Sequence, residues 1–253
     1  NSLIEQALKV SPDSPSALRV RGDVQFALHQ LTIAERDYRK SLSLQDDTRT
    51  RLALARTLIP LQRYAEISDL CAPVIALGSS SDISAEQRAQ ALVYTAGGKL
   101  YSPLTPQELS TLQAQLKEAD SLSNALPREE RFLPPYFLGE SYLRLAQPKE
   151  AIPYLEKSTA LAPTFAGSLY SLSRAYRLSG DTVKADTTSA KHTRLSRLMG
   201  ELEAYSNRIT QNSNDFEAML KLAGTFAELG DKAQAADLYQ RLIQMGKYVD
   251  VAA

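Results

Sequence analysis

The residues that could carry catalytic or metal chemistry are few and scattered along the chain. The sequence contains one cysteine, Cys71, and two histidines, His29 and His192. Neither histidine has a cysteine or carboxylate partner at a spacing typical of a metal site. The sequence also lacks the fingerprints of serine nucleophiles, zinc proteases, phosphate-binding loops and dinucleotide sites. We therefore expect no catalytic residues, no cofactor and no metal, and predict that the protein is not an enzyme.

The charge and hydropathy of the chain narrow the classes of partner. The sequence has 29 basic and 29 acidic side chains, whereas a general nucleic-acid binder needs a basic surface. No apolar run approaches the roughly 20 residues that a membrane-spanning helix requires. We therefore expect a protein or peptide as the partner, no nucleic acid and no membrane span. The single cysteine excludes an internal disulfide and does not fix the compartment.

Two features of the sequence have a structural interpretation that competes with a functional one. The tripeptide Arg21-Gly22-Asp23 spells an adhesion motif. We place Gly22 at a close contact within a helix and interpret the match as chance. Cys71 falls on the packed side of a predicted helix, which is typical of a core thiol.

The stretch from Leu133 to Phe165 predicts two helices joined by a tight turn. Apolar residues recur at spacings of three and four on both sides of Gln147-Pro148. Small residues stand where the two helices would cross, because larger side chains there would push the helix axes apart. These small residues are Gly139, Ala151 and Ser158.

These spacings resemble the tetratricopeptide repeat, a unit of 34 residues. Pro135 stands where the repeat usually has an aromatic residue, with Tyr136 beside it. The residues that match are Leu138-Gly139, Tyr142, Ala151, Leu155 and Pro163. Weaker copies begin near Leu18, Leu54, Leu172 and Leu222. The resemblance implies an all-α, right-handed superhelical solenoid of stacked helix–turn–helix repeats.

The repeat register organises residues 1–253 as a single solenoid. Residues 1–13 resemble the second helix of a repeat without its first helix, so we expect a fragment or a processed form. Two intervals are longer than a standard unit: 82–131 is a divergent pair, and 166–215 is a repeat with an extended helix. The last residues, MGKYVDVAA, are expected to form a frayed tail. The remaining repeats are predicted at 14–47, 48–81, 132–165 and 216–249.

The extended helix is predicted over residues 181–209, since no proline interrupts that range. A break near Gly200 is the alternative. Its apolar stripe either packs beneath the last repeat, which we favour, or offers a surface for a homodimer. The stripe consists of Leu195, Leu198, Leu202, Tyr205 and Ile209.

The resemblance implies that the first helix of each repeat lines a concave groove. Arginine can hold carboxylates with two hydrogen bonds, and tyrosine offers a rigid amphipathic face, so both suit partner binding. Alternatively, these side chains are solvated or pair with one another, as Arg144 could with Glu140. The predicted groove residues are Arg19, Asp23, Phe26, Arg56, Tyr136, Glu140, Arg144, Tyr170, Arg174 and Arg177.

One function known in the family can be tested against the sequence. Some tetratricopeptide domains hold the C-terminal carboxylate of a chaperone with a clamp of lysines and asparagines. Arg19 could replace the first lysine. Asp23 and Ala53 stand where asparagines are needed, and an aspartate would repel a carboxylate. We therefore expect no such clamp.

The sequence favours a non-catalytic scaffold for protein–protein interaction that binds a peptide or helix in its concave groove. Two alternatives remain. One is a regulatory or accessory segment of a larger multidomain protein, and the other is a self-assembly module that uses the helix over 181–209.

Overall fold

The computed structural model describes residues 2–78 and 82–246, and within these ranges all regular structure is helical. The expected all-α architecture of helix–turn–helix repeats is therefore confirmed. The chain divides into two compact units, Asn1–Leu161 and Ala162–Ala253. None of the described helices is both long enough and apolar enough to cross a membrane. Most of the expected C-terminal tail, residues 247–253, lies outside the described residues.

In the first unit, consecutive helices pack against one another along the chain. First helices of successive hairpins also touch, since α2 contacts α4, α4 contacts α6 and α6 contacts α8. Two short 3₁₀ turns, Ser123–Ala125 and Arg128–Glu130, precede α8. The helices are α1 (Ser2–Val10), α2 (Pro15–Ala27), α3 (Leu31–Leu44), α4 (Thr48–Leu58), α5 (Tyr64–Ala76), α6 (Ala85–Lys99), α7 (Pro106–Ser121), α8 (Leu133–Arg144) and α9 (Pro148–Leu161).

The second unit contains four described helices, α10 (Ala166–Ser179), α11 (Thr182–Gln211), α12 (Phe216–Leu229) and α13 (Lys232–Gln244). The predicted long helix is α11, which runs for 30 residues without a break at Gly200. It packs against both α10 and α12, which accounts for the extra residues in this interval. Leu195 and Leu198 are buried, and the rest of the stripe, Leu202, Tyr205 and Ile209, is half-buried. The homodimer through this stripe stays a prediction.

The starts of α6 and α7 are each capped by a reciprocal pair of hydrogen bonds. Ser84 accepts a hydrogen bond from the Gln87 amide, and the Gln87 side chain accepts one from Ser84 in return. Thr105 and Glu108 form the same reciprocal pair at α7. These contacts satisfy amide groups that a helix start otherwise leaves unpaired. α6 continues through Gly97-Gly98 to Lys99, and both glycines are buried in its packed face.

Small residues set the distance between paired helices in the first unit. A Cβ atom on Gly22 would lie 2.6 Å from Cε1 of Tyr38, and one on Gly139 would overlap Leu155. Ala151 and Ser158 are fully buried beside them, as the sequence predicts. The first helix therefore meets the second at a distance that a larger side chain would prevent.

The turns between first and second helices share a left-handed residue. The backbone φ angle is 58° at His29, 58° at Gln62 and 55° at Ala146. Gly180 and Gly230 hold the same position in the second unit, with φ angles of 91° and 86°. Left-handed backbone at this place ends a helix and redirects the chain, at a cost for every residue except glycine. His29 therefore has a conformational role at a turn.

We expect Gly139→Ala to lower the free energy of unfolding by about 1–3 kcal/mol, because the added methyl group overlaps Leu155. Gly200→Ala is the control, since a Cβ atom there meets nothing within 4 Å. That change should be neutral or stabilising by up to about 1 kcal/mol. Urea unfolding followed by circular dichroism measures both. Equal effects of the two substitutions would contradict the close-packing role of Gly139.

We expect Ala146→Gly to raise the free energy of unfolding by about 0.5–1 kcal/mol, because glycine removes the left-handed strain at this turn. Ala114→Gly, at an exposed position inside α7, should lower it by a similar amount. Thermal unfolding of the two variants tests both expectations. A loss of stability in Ala146→Gly would show that the turn carries no such strain.

Candidate functional site

The strongest candidate site is a groove between α4 and α6 in the first unit, hereafter the α4–α6 groove. Its volume is about 330 Å³. On α4 the lining residues recur at spacings of three and four, which places them on one face of the helix. The groove is lined by Arg49, Leu52, Ala53, Arg56, Ser84, Glu86, Gln87, Gln90 and Tyr94.

Arg56 lies where α2 approaches α4. Its guanidinium carbon is 4.2 Å from the centre of the Phe26 ring, which is a cation–π contact. The Nε atom of Arg56 is buried and has no hydrogen-bond partner among the described residues. The ion pairs of this region involve Arg19, Arg51 and Arg88, and neither Arg49 nor Arg56 takes part in an ion pair between described residues. Arg56 therefore keeps hydrogen-bonding capacity that the described chain does not use.

One wall of the groove is backed by a buried carboxylate. Glu130 is 7% exposed and accepts hydrogen bonds from the Tyr94 hydroxyl at 2.8 Å and from Gln90 Nε2 at 3.2 Å. Burial, and next the Glu130 charge, raise the pKa of the Tyr94 hydroxyl well above its usual value. Tyr94 therefore stays a neutral donor. Glu130 belongs to the 3₁₀ turn Arg128–Glu130, so the longer interval before α8 supplies this support.

A second group of polar side chains surrounds Asp23 on α2. Its carboxylate accepts hydrogen bonds from Arg19 at 2.7 Å and from the Tyr38 hydroxyl at 2.8 Å. Burial, with the Asp23 charge next, raises the pKa of Tyr38, so this hydroxyl also stays a donor. Arg19 is therefore engaged by Asp23. Ala53 lines the α4–α6 groove.

The predicted groove residues on α8 have contacts of a different kind. Arg144 donates hydrogen bonds to the backbone oxygens of Leu100 and Ser102, at the end of α6, rather than to Glu140. The Tyr136 ring packs beside the Phe137 ring with 5.2 Å between their centres. Glu140 is half-buried. Arg144 therefore ties the end of α6 to α8.

The three predicted residues of the second unit lie together on one surface. Tyr170, Arg174 and Arg177 line a cavity of about 290 Å³ between α10 and α11. The Tyr170 ring lies 5.7 Å from the ring of His192, and Arg177 pairs with Asp186 at 3.1 Å. Both partners of this ion pair are exposed, so it adds little stability.

Of the nine residues that line the α4–α6 groove, only Arg56 belongs to the sequence-based set, and the polar residues that this set misses include Arg49, Gln87, Gln90 and Tyr94. Arg49 precedes Arg56 by seven residues, two helical turns, and this spacing could have revealed it. The α6 residues could not be recognised, because this helix departs from the repeat pattern and its exposed face was unknown.

The described residues offer no centre for metal or nucleophilic chemistry. None of them forms a group of three or more histidine, cysteine, aspartate or glutamate side chains that could hold a metal ion. Cys71 is fully buried, as expected, and burial raises the pKa of its thiol to about 12. A thiol in that state is a poor nucleophile at neutral pH.

Family models of the tetratricopeptide repeat match the chain at residues 136–165 and 217–245. The chain contains tetratricopeptide repeats. The two matches cover α8–α9 and α12–α13, which are two of the hairpins predicted at the standard length. No enzyme family is indicated. A search of curated proteins found no match for the sequence.

Solved structures with the same fold share little sequence with this tetratricopeptide-repeat chain. A Rap protein complexed with competence and sporulation factor is 16% identical, with a TM-score of 0.54 over 92% of this chain and 75% of that one. The human IFIT1 dimer with PPP-AAAA is 14% identical, with a TM-score of 0.53 over 98% and 68%. YrrB, described as a TPR protein with an unusual peptide-binding site, is 13% identical, with a TM-score of 0.51 over 76% and 91%. At these identities the likeness shows the fold alone.

We expect Tyr94→Phe to lower the free energy of unfolding by about 1.5–3 kcal/mol, because the buried Glu130 carboxylate loses a hydrogen-bond donor. Tyr170→Phe is the control, since the Tyr170 side chain is 57% exposed and should change stability little. Urea unfolding of the two variants gives the comparison. A Tyr94→Phe variant as stable as the parent would exclude a supporting role for this hydrogen bond.

Proposed function

We propose that this chain is a non-catalytic scaffold for protein–protein interaction and that the α4–α6 groove of its first unit binds a peptide. The observation that carries the proposal is the lining of this groove. It combines apolar surface from Leu52 and Ala53 with donors on both sides, while Arg56 Nε has no hydrogen-bond partner in the part of the chain that the structure describes. Pockets of this composition bury part of a ligand and orient it by a few polar contacts.

The chemistry of the lining suits a polypeptide. Gln87 and Gln90 present amides next to the groove, and amides can hydrogen-bond both the N–H and the C=O of a peptide backbone. Arginine and tyrosine are the side chains that contribute most often to tight protein interfaces. Tetratricopeptide repeats are generally protein-interaction modules, which also supports a polypeptide as the ligand.

The structural neighbours are consistent with this proposal without deciding it. One of them is described as having a peptide-binding site and another is complexed with a competence and sporulation factor. A third is complexed with PPP-AAAA. The balanced charge of this chain favours a polypeptide over a nucleic acid, since counterion release requires a basic surface.

The groove can be blocked without a change of charge. Ala53 lines it, and we expect Ala53→Phe to fill the space that a peptide would occupy. Peptides selected from a displayed library of random linear sequences should bind the parent chain and lose about tenfold or more affinity for Ala53→Phe, because a filled pocket excludes its ligand. Fluorescence anisotropy measures the affinities.

Ala53→Ser is the matched control, because it keeps the groove open. Circular dichroism must show that both variants keep their helices and their melting temperature. Selected peptides that bind Ala53→Phe as tightly as the parent would overturn the assignment of the groove. A short single-stranded RNA serves as a further probe, and tight RNA binding that Ala53→Phe abolishes would contradict a polypeptide ligand.

A further inference from the structure

The charged groups around the α4–α6 groove differ in how far the chain already satisfies them. Asp23 accepts hydrogen bonds from Arg19 and Tyr38, and Glu130 accepts them from Tyr94 and Gln90. These two carboxylates therefore have donors within the chain.

The two arginines of the groove are in the opposite situation. None of the ion pairs between described residues includes Arg49 or Arg56, although acids and arginines pair all around them. Arg56 also has its Nε atom buried and without a hydrogen-bond partner among the described residues. A buried N–H that has lost water without gaining an acceptor is costly, so a carboxylate that reached Arg56 Nε would gain a charge-assisted bond there.

The positions of the two arginines on α4 define a distance. They are seven residues apart and share one helix face, so their backbone attachments lie about 10 Å apart along the helix axis. In an extended peptide of the polyproline II type, which has three residues per turn and a rise of about 3.1 Å per residue, side chains three residues apart lie on the same face and about 9 Å apart. A ligand in this conformation along α4 would therefore meet both guanidinium groups with residues spaced by three.

We propose that the α4–α6 groove selects an extended acidic peptide that carries two carboxylate side chains three residues apart, one for Arg49 and one for Arg56. This inference rests on the proposed function of the groove. It differs from capture of a chain end, because both carboxylates belong to side chains inside the peptide.

Glu86 allows a test of whether the ligand of the groove is acidic or basic. It is the remaining acid in the groove lining, is exposed in the first turn of α6, and has no ion-pair partner among the described residues. An acidic ligand would be repelled by Glu86, so Glu86→Gln should bind it more tightly. A basic ligand would bind Glu86→Gln more weakly.

The experiment compares peptides with blocked ends, acetylated and amidated, so that only side chains supply carboxylates. A peptide with the core Asp-Ala-Ala-Asp is measured by fluorescence anisotropy against the cores Asn-Ala-Ala-Asn and Asp-Ala-Asp in the same flanking sequence. That flanking sequence comes from peptides recovered by selection on the parent chain. We expect the Asp-Ala-Ala-Asp core to bind at least about tenfold more tightly than either comparison, as for a charge-assisted hydrogen bond.

The variants Arg49→Gln and Arg56→Gln should each lower the affinity for the Asp-Ala-Ala-Asp peptide by about tenfold. Added salt should reduce the difference in affinity between the acidic core and the Asn-Ala-Ala-Asn core. Arg36→Gln is the matched control, because Arg36 is exposed on α3 outside the groove lining and the change removes the same charge. It should leave the affinity unchanged.

The outcomes separate this inference from the proposed function. The selected peptides could lose binding to Ala53→Phe and yet need no acidic pair and tolerate both arginine substitutions. That result would overturn the proposal of an acidic ligand and leave the groove as a peptide site. A preference for Asp-Ala-Asp would overturn the spacing. Recovered peptides that bind independently of Ala53→Phe, or a selection that recovers none, would overturn the proposed function and this inference with it.

Discussion

Close contact between the two helices of a hairpin is the constraint on which the first unit depends. Tyr38 lies against Gly22 and Leu155 lies against Gly139, where no Cβ atom fits. At α6 the same constraint applies, since a Cβ atom on Gly98 would lie 3.0 Å from the Tyr64 backbone oxygen of α5. The first helices α4 and α6 are also in contact, and the α4–α6 groove lies between them.

The groove also shows how a departure from the repeat becomes useful. The interval before α8 is longer than a standard unit, and its additional residues form two 3₁₀ turns. The second turn places Glu130 behind Tyr94 and Gln90, which holds both side chains as parts of the groove wall. A regular repeat would have no residue at that place. The insertion therefore shapes the surface that neighbouring regular helices leave open.

Charge is distributed differently on the buried and open sides of the groove. Two carboxylates near the groove, half-buried Asp23 and buried Glu130, accept hydrogen bonds from the chain itself. Arg49, which is exposed, and Arg56, which is half-buried, both line the groove. Since buried polar groups are costly unless paired, this division leaves binding capacity on the side that a partner can reach. Net charge over the whole chain, which is zero, does not reveal it.

The sequence by itself determined the hairpins, because their signals are local. Capping residues at Ser84 and Thr105, small residues at helix crossings and the apolar stripes act over a few residues. The sequence also predicted that Arg56 and Phe26 line a groove, and in the structure both are half-buried. Only the tertiary structure decided which side chains meet: Arg144 with the end of α6, Glu130 with Tyr94, and Arg56 with the Phe26 ring of α2. These contacts join residues on different elements, and their geometry depends on how an irregular interval packs, which no local pattern specifies.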